Sequence, residues 1–214
     1  MTPKEDLTLK FARIILVQGF ASHSLADLTK QAAVSRALVA HHFKNQDAIV
    51  EAVVDHYLAF LRQRALPATP SRNTLPQTLL NALWVLGAVT PRFATELQHQ
   101  HPRIYRRYNH GVTTYLRNLA STYQRAQAAG LMRATGSPNY LIFQQRVLLQ
   151  GTLQAVQTGE LSLETGEAYL RADFTLQCQA LLTSPVATPT PALQSAIRES
   201  LSDYYATYAL VNPA

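Results

Sequence analysis

Apolar residues recur along most of this chain at three- and four-residue steps, the spacing of a helix that buries one face. The first stripe is Leu7, Phe11, Ile14 and Ile15. It follows Thr2-Pro3-Lys4-Glu5, which puts a hydroxyl at the N-cap, proline at the first helical position and Glu at the third. Such a start satisfies otherwise unpaired N–H groups from both sides. Gly19 suits a left-handed C-terminal cap, with Phe20 after it as an anchor. Ser24-Leu25-Ala26-Asp27 then opens a short helix to about Ala32, and Ser35 caps another from Arg36 to about Phe43. Asn45 caps a longer helix whose Ile49, Val50, Val53, Val54, Tyr57, Leu58 and Leu61 form two adjacent rows.

Pro67-Ala68-Thr69-Pro70-Ser71-Arg72-Asn73 interrupts the pattern as a linker. Helices are predicted beyond it over 75–89, 91–100, 102–129, 138–158 and 162–183. Thr90-Pro91, Ser137-Pro138 and Thr190-Pro191 repeat the hydroxyl-then-proline start, and Gly130 and Gly159 follow two of the helix ends. The longest of these helices carries Ile104, Tyr108, Val112, Tyr115, Leu119 and Tyr123 as its stripe. Ser184 to Pro189 reads as a second linker before a last amphipathic helix over 191–210. No segment alternates cleanly with β-branched enrichment, so the fold class is all-α. No repeat of 20 to 50 residues supports a solenoid.

Two short helices joined by Ala32-Ala33-Val34-Ser35, between a capped helix and a longer one, describe a helix-turn-helix. In this reading Leu25 and Leu28 hold Val34, Leu38 and Val39, and the outer face of residues 36–43 is free to enter a major groove. The helix starts at Ser24 and Ser35 present N–H groups to phosphates. On spacing alone a purely structural three-helix bundle fits equally well.

The order of these pieces resembles the N-terminal domain of TetR-type transcriptional regulators over residues 7 to 54. The matching residues are Gly19-Phe20, Ser24-Leu25-Ala26-Asp27-Leu28, Ala32-Ala33-Val34-Ser35-Arg36, and His42-Phe43 followed by Gln46-Asp47-Ala48-Ile49. The resemblance implies a helix-turn-helix domain over 1–46, a connecting helix over 47–66 and a linker over 67–74. An effector-binding and dimerisation domain over 75–214 follows, with 191–210 as an extra helix. It implies double-stranded operator DNA, a small-molecule effector and a second copy of the chain as partners. The DNA-binding residues expected are Ser24, Lys30, Ser35, Arg36, Ala37, Leu38, His41, His42 and Lys44. Ser35 serves chiefly as a cap, and His42 chiefly in packing or phosphate contact. A two-fold dimer would favour a near-palindromic operator.

Three positions depart from the family pattern. Ala33 stands where glycine is usual, which would cost roughly 1–2 kcal/mol if its φ is positive. Ala40 replaces a common aromatic in the recognition helix, and Gln46 replaces a lysine that usually meets phosphate. These changes keep open an alternative: a helical small-molecule- or partner-binding protein with weakened DNA binding.

Charge refines this picture. The chain of 214 residues carries a formal +6. Residues 1 to 60 contain six basic and six acidic side chains, so the head expected to meet DNA is neutral. Between Asp27 and Asp47, however, there is no acid, while Lys30, Arg36, His41, His42 and Lys44 fall inside. If only ~3 to 5 phosphates are neutralised per subunit, the salt dependence is modest, roughly −0.9 in slope per contact. A second basic zone lies between Glu96 and Glu160, with Arg103, Arg106, Arg107, Arg117, Arg125, Arg133 and Arg146 and no carboxylate. It is either a solvated face or a partner for an acidic effector, with Arg146 the best placed.

Trp84, Phe93, Tyr105, Tyr108, Tyr115 and Phe143 could line an effector pocket for an apolar or aromatic molecule, though plain core is the simpler reading. The helix from Pro138 is apolar on more than one face. Tyr140, Phe143, Val147 and Gly151 form one row, and Leu141, Leu148, Thr152 and Val156 another. Its neighbour carries Tyr169, Leu170, Phe174, Leu176, Gln177 and Leu181. So wide a stripe suits two partners. The resemblance makes this pair a four-helix dimer interface, expected to use Leu141, Leu148, Thr152, Val156, Tyr169, Leu176, Gln177 and Leu181.

His99 and His101 point apart on a helix, and Cys178 is the single cysteine, so no metal site is expected. No phosphate loop, nucleophile motif or paired carboxylates suggest an enzyme or a cofactor. No apolar run approaches the ~18 residues of a membrane span. Met1 to Asp6 shows no signal segment, so the chain is expected in the cytoplasm without a membrane partner.

Overall fold

The structure is a computed structural model and describes residues 2–184. The expected 191–210 helix and the 185–189 part of the second linker lie outside the described residues. Nine α-helices run through the described residues: α1 (Pro3–Gln18), α2 (Leu25–Gln31), α3 (Arg36–His42), α4 (Gln46–Gln63), α5 (Leu75–Gly87), α6 (Pro91–Gln100), α7 (Pro102–Ala128), α8 (Pro138–Gln157) and α9 (Leu163–Leu181). No strand occurs among them beyond one isolated bridge between Met132 and Leu182. The helix ends fall within two residues of the sequence expectation, except that α4, expected to reach 66, stops at Gln63.

The caps explain the starts. Thr2 and Glu5 form a reciprocal capping box on α1, and Ser24 and Asp27 form one on α2. Ser35, Thr90, Ser137 and Ser162 each accept a backbone N–H three residues on. Each such cap is worth about 1 kcal/mol. Gly130 and Gly159 adopt positive φ, as the turns after α7 and α8 require.

The described residues form two compact units. The first holds 2–63 and 88–112, the second 64–87 and 113–184. In the first, Leu7, Phe11, Ile14 and Ile15 of α1 pack on the Ile49, Val50, Val53 and Val54 rows of α4, all nearly inaccessible. Phe43 closes this core edge-on against Phe11 at 6.0 Å. Segment 88–112 joins this unit because α6 packs on α1. In the second unit α5 packs on α8, and α8 on α9.

Candidate nucleic-acid interface

The α2–turn–α3 segment is held by a few buried contacts. Leu28, Thr29, Val39 and Phe43 are buried, whereas Leu25 and Leu38 are exposed. Leu28 and Val39 therefore hold the pair together, and the expectation that Leu25 and Leu38 do so is corrected. With Val39 turned inward, the outer face of α3 consists of Arg36, Ala37, Leu38, Ala40 and His41, all exposed. His42 is half-buried and packs its ring edge-on against His41 at 4.8 Å.

The turn itself is a Schellman motif. Val34 N–H donates to the Thr29 carbonyl at 3.2 Å, and Ala33 N–H to the Lys30 carbonyl at 3.1 Å. That geometry puts its C′ residue in the left-handed region. Ala33 has φ 52°, the only positive φ outside glycine among the described residues. The chain thus accepts at Ala33 the strain that Gly130 avoids in the matching turn after α7.

Two expected phosphate ligands are engaged in caps. Ser24 Oγ donates to Asp27 Oδ2 at 2.5 Å, and Ser35 Oγ accepts from Leu38 N–H at 3.1 Å. The hydrogen bonds from Ser24 hold the Asp27 carboxyl below its usual range. Lys30, Arg36 and Lys44 are exposed and form no ion pair among the described residues. Lys4 lies over the Phe43 ring at 5.6 Å, and Lys10 pairs with Asp6 at 2.9 Å. The three long-chain cations of the acid-free window thus face solvent.

Gln46, where a lysine was expected, has a definite structural role. Its Nε2 donates to the carbonyls of Phe20 and His23, both at 3.1 Å. The amide ties the start of α4 to the α1–α2 loop. The same loop is held from α6: Glu96 accepts from Phe20 N–H at 2.6 Å and Ala21 N–H at 2.9 Å. Arg92 Nε donates to Glu96 at 2.9 Å, and Arg92 also reaches Ser22 Oγ at 2.9 Å. Partial burial would raise the Glu96 carboxyl. The Ala21 amide, the Arg92 guanidinium and the Phe20 amide outweigh it and hold the group below its ordinary value. Glycine is favoured at position 19 by its φ of 80°, and a Cβ there would also press on the Glu96 carboxylate. Nothing in local spacing announced their role at this loop, since the loop partners of Glu96 and Arg92 lie 70 or more residues away in sequence.

The remaining arginines mostly have partners within the chain. Arg103 and Arg107 approach Glu51 at 3.6 and 3.4 Å, and Arg107 pairs with Asp55 at 3.0 Å. Arg133 donates to the Gln179 carbonyl at 2.8 Å. Lys44, Asn45, Asp47, Ala48, Glu51 and His101 line a shallow groove that mixes both signs of charge. His101 packs tilted against the Phe20 ring at 5.4 Å, while His99 Nδ1 meets the Thr95 carbonyl at 2.7 Å, so the two rings serve different places.

The expected pocket residues separate into two sets. Phe93, Tyr105 and Tyr108 belong to the first unit, where Phe93 meets Phe20 at 6.0 Å and Tyr108 meets Phe93 and Tyr57 at 5.8 Å. This is aromatic core. Trp84, Tyr115, Phe143 and Arg146 belong to the second. Arg146 lies over Phe143 at 6.0 Å, and both are exposed on α8, which corrects their placement inside a pocket. Trp84 instead carries the guanidinium of Arg64 at 5.2 Å from its ring centroid. Arg64 was missed because it stands alone between α4 and the linker.

The expected interface residues also divide. Leu141, Thr152, Val156 and Leu181 are buried within their own unit, so they are core of the subunit and their assignment to an interface is corrected. Gln177 accepts from Gln145 at 2.9 Å and donates to Asp173 at 2.6 Å. Leu148, Tyr169 and Leu176 are exposed, together with Tyr140, Phe143 and Val147.

Comparison with known proteins places this head in a class. It is a helix-turn-helix domain at the start of an all-helical chain. Residues 12–53 match the family model described as bacterial regulatory proteins, tetR family. No curated protein matches the chain in sequence. Among solved structures, a TetR-family transcriptional regulator from Marinobacter aquaeolei is similar, at 14% identity and TM-score 0.59, over 95% of this chain and 99% of that one. The ketosteroid transcriptional regulator of Mycobacterium tuberculosis matches at 12% identity and TM-score 0.59, over 86% and 96%. A transcriptional regulator from Saccharomonospora viridis in complex with choline matches at 16% identity and TM-score 0.59, over 85% and 98%. The chain has the fold and the N-terminal DNA-binding domain of a TetR-type transcriptional regulator.

Proposed function

We propose that the chain is a ligand-responsive transcriptional repressor, not an enzyme, that binds a near-palindromic operator as a homodimer in the cytoplasm. The observation that carries this reading is the exposed outer face of α3, anchored from behind by Val39 and Phe43. Arg36 offers a planar donor fork for guanine or phosphate, and Leu38, 41% exposed, offers an apolar contact for a thymine methyl. Lys30 and Lys44 supply phosphate contacts, with His41 and His42 beside them.

The dimer surface follows from exposure. Tyr140, Phe143, Val147 and Leu148 on α8 and Tyr169 and Leu176 on α9 are large apolar side chains left in solvent. Gly151 continues the α8 row, with open space where a Cβ would stand. A second copy related by a two-fold axis covers this face isologously. It would set the two α3 helices about 34–36 Å apart, one DNA turn. No helix among the described residues is long and apolar enough to cross a membrane.

The test is binding to an operator obtained by selection from random duplexes, measured against salt. Arg36→Ala with Lys44→Ala should abolish discrimination between operator and random DNA; unchanged binding would remove the assigned reading face. One observation favours a weaker binder: Gln46, in place of a lysine, is committed to two loop carbonyls. A specific affinity that never exceeds the non-specific one would establish that alternative, a helical small-molecule- or partner-binding protein.

A further inference from the structure

One similar structure is in complex with choline and another is named a ketosteroid transcriptional regulator, two unlike chemistries on one fold. The fold therefore does not choose the ligand; individual side chains must. Most polar groups buried in the second unit are satisfied. Tyr123 donates to Gln145 Oε1 at 3.2 Å, Gln145 to Gln177 Oε1 at 2.9 Å, and Gln177 to Asp173 at 2.6 Å. Tyr115 stands outside this chain of hydrogen bonds. Its side chain is 7% exposed, and its hydroxyl is fully enclosed without a hydrogen-bond partner. Enclosed hydroxyls ordinarily have one. Burial pushes the phenol up to about 12, with the charge of nearby Arg64 acting the other way, so the hydroxyl keeps its proton as a donor. Arg64 in turn covers the Trp84 ring at 5.2 Å. Arg64 and Trp84 are part-exposed, so the cluster runs from surface to interior.

We infer that Arg64, Trp84 and Tyr115 form the recognition end of an effector site that takes a carboxylate on an aromatic or apolar body. This deepens the ligand-responsive reading and rests on it. The guanidinium matches a carboxylate in shape and charge, and its five N–H donors can hold an intrachain contact as well. The Tyr115 hydroxyl donates to the same carboxylate. The Trp84 ring packs on the body of the ligand. Arg64 directly follows Gln63, the last residue of α4, so charge neutralised there acts at the end of the helix whose start holds the α1–α2 loop. The acid-binding arginine is thus Arg64 and not the exposed Arg146.

The test uses the full chain and calorimetric titration with benzoate, 2-naphthoate and decanoate, each beside its carboxamide. Trp84 is the single tryptophan, so its emission under decanoate reports the site directly. At least one carboxylate should bind saturably, with its amide at least about tenfold weaker, the scale of a hydrogen bond to a charged group. Arg64→Gln should weaken the carboxylate by about tenfold or more and leave the amide unchanged. Tyr115→Phe should weaken it several-fold yet not lower the ligand-free Tm, because it removes a hydroxyl with no partner. Arg117→Gln, on the exposed side of α7, should change nothing. The inference is overturned if no carboxylate binds by millimolar concentration, or if acid and amide bind alike. It is equally overturned if either site variant leaves the carboxylate's affinity intact, or if Tyr115→Phe destabilises the free protein. Selective operator binding without carboxylate binding sinks this inference alone. Absence of selective operator binding sinks the regulator reading whatever Trp84 reports.

Discussion

Ala33→Gly should stabilise the DNA-binding head. Ala33 has φ 52° at the C′ position of the turn between α2 and α3. A non-glycine residue there costs roughly 1–2 kcal/mol through its Cβ. Glycine removes that cost but makes the unfolded chain freer, which takes back about 0.4–1 kcal/mol. Ala33 is exposed, so no buried contact is lost with its methyl. The balance is a gain centred on ~0.8 kcal/mol. Equilibrium urea unfolding followed by far-UV circular dichroism reads the global effect. Amide exchange at Ala33 and Val34, whose N–H groups close the turn, reads the local one. Ala33→Val should move the opposite way, since a β-branched residue tolerates positive φ least. The reasoning rests on a sign: were φ negative, glycine would destabilise by its entropy alone. A neutral or destabilising Ala33→Gly therefore refutes it.

Four further outcomes are expected. Gln46→Ala should cost the head about 1–2 kcal/mol in urea unfolding, because two part-buried carbonyls lose their donor. The Glu96 carboxyl is depressed in the folded chain, so its stabilising effect is complete above the ordinary carboxylate range, ~4.3, and is lost as pH falls below it. Protection of the Phe20 and Ala21 amides should drop over that window, and a Glu96→Gln chain with the same profile would exclude the assignment. Burial raises the Cys178 thiol to about 11, so a thiol reagent at pH 8 should modify it only after unfolding in urea. Leu176→Asp and Phe143→Asp should each give a folded species of 23.7 kDa by light scattering, half the mass of the parent. A parent already at that mass would remove the proposed dimer face.

The legible parts of this molecule are those written in short range. Caps and stripes placed the helices because an N-cap and its N3 partner are three residues apart, and a buried face repeats every three to four. Positive φ at Ala33 was suggested only by the resemblance, which puts glycine at that position; the residue type itself gave no sign of it. Faces with competing partners were harder. Leu38 and Val39 are adjacent and apolar, and only packing decides which turns inward. Val39 is nearly inaccessible and Leu38 is 41% exposed, so two of the five residues expected in the helix-turn-helix core, Leu25 and Leu38, face outward. On α8 the inward row was expected at the interface because periodicity finds a stripe but not what covers it. Arg64 carried no pattern at all; only its position over Trp84 and beside Tyr115 gives it meaning.

The α1–α2 loop shows how a substitution can leave a fold intact and change what holds it. A lysine at position 46 would put a full charge toward phosphate. Gln46 has no charge, but its amide matches two carbonyls, at Phe20 and His23. Those carbonyls belong to the loop whose N–H groups are bound by Glu96. The two side chains therefore saturate opposite polarities of one short backbone segment, one from α4 and one from α6. Any displacement of α6 relative to α1 must stretch charge-assisted hydrogen bonds of 2.6 and 2.9 Å, or carry the loop and the start of α4 with it. Hydrogen bonds to a carboxylate are about twice as strong as neutral ones, so the neutral Gln46 contacts are the ones to yield first. The head of this chain is thus tied more firmly to α6 than to its own helix α4 at this loop. A Glu96→Gln chain, left with neutral bonds on both sides, should lose that asymmetry. In amide exchange, protection at Phe20 and Ala21 should then fall toward that of an ordinary loop, while the amides inside α1 keep theirs; loss spread evenly over α1 would show that the loop is held by packing instead.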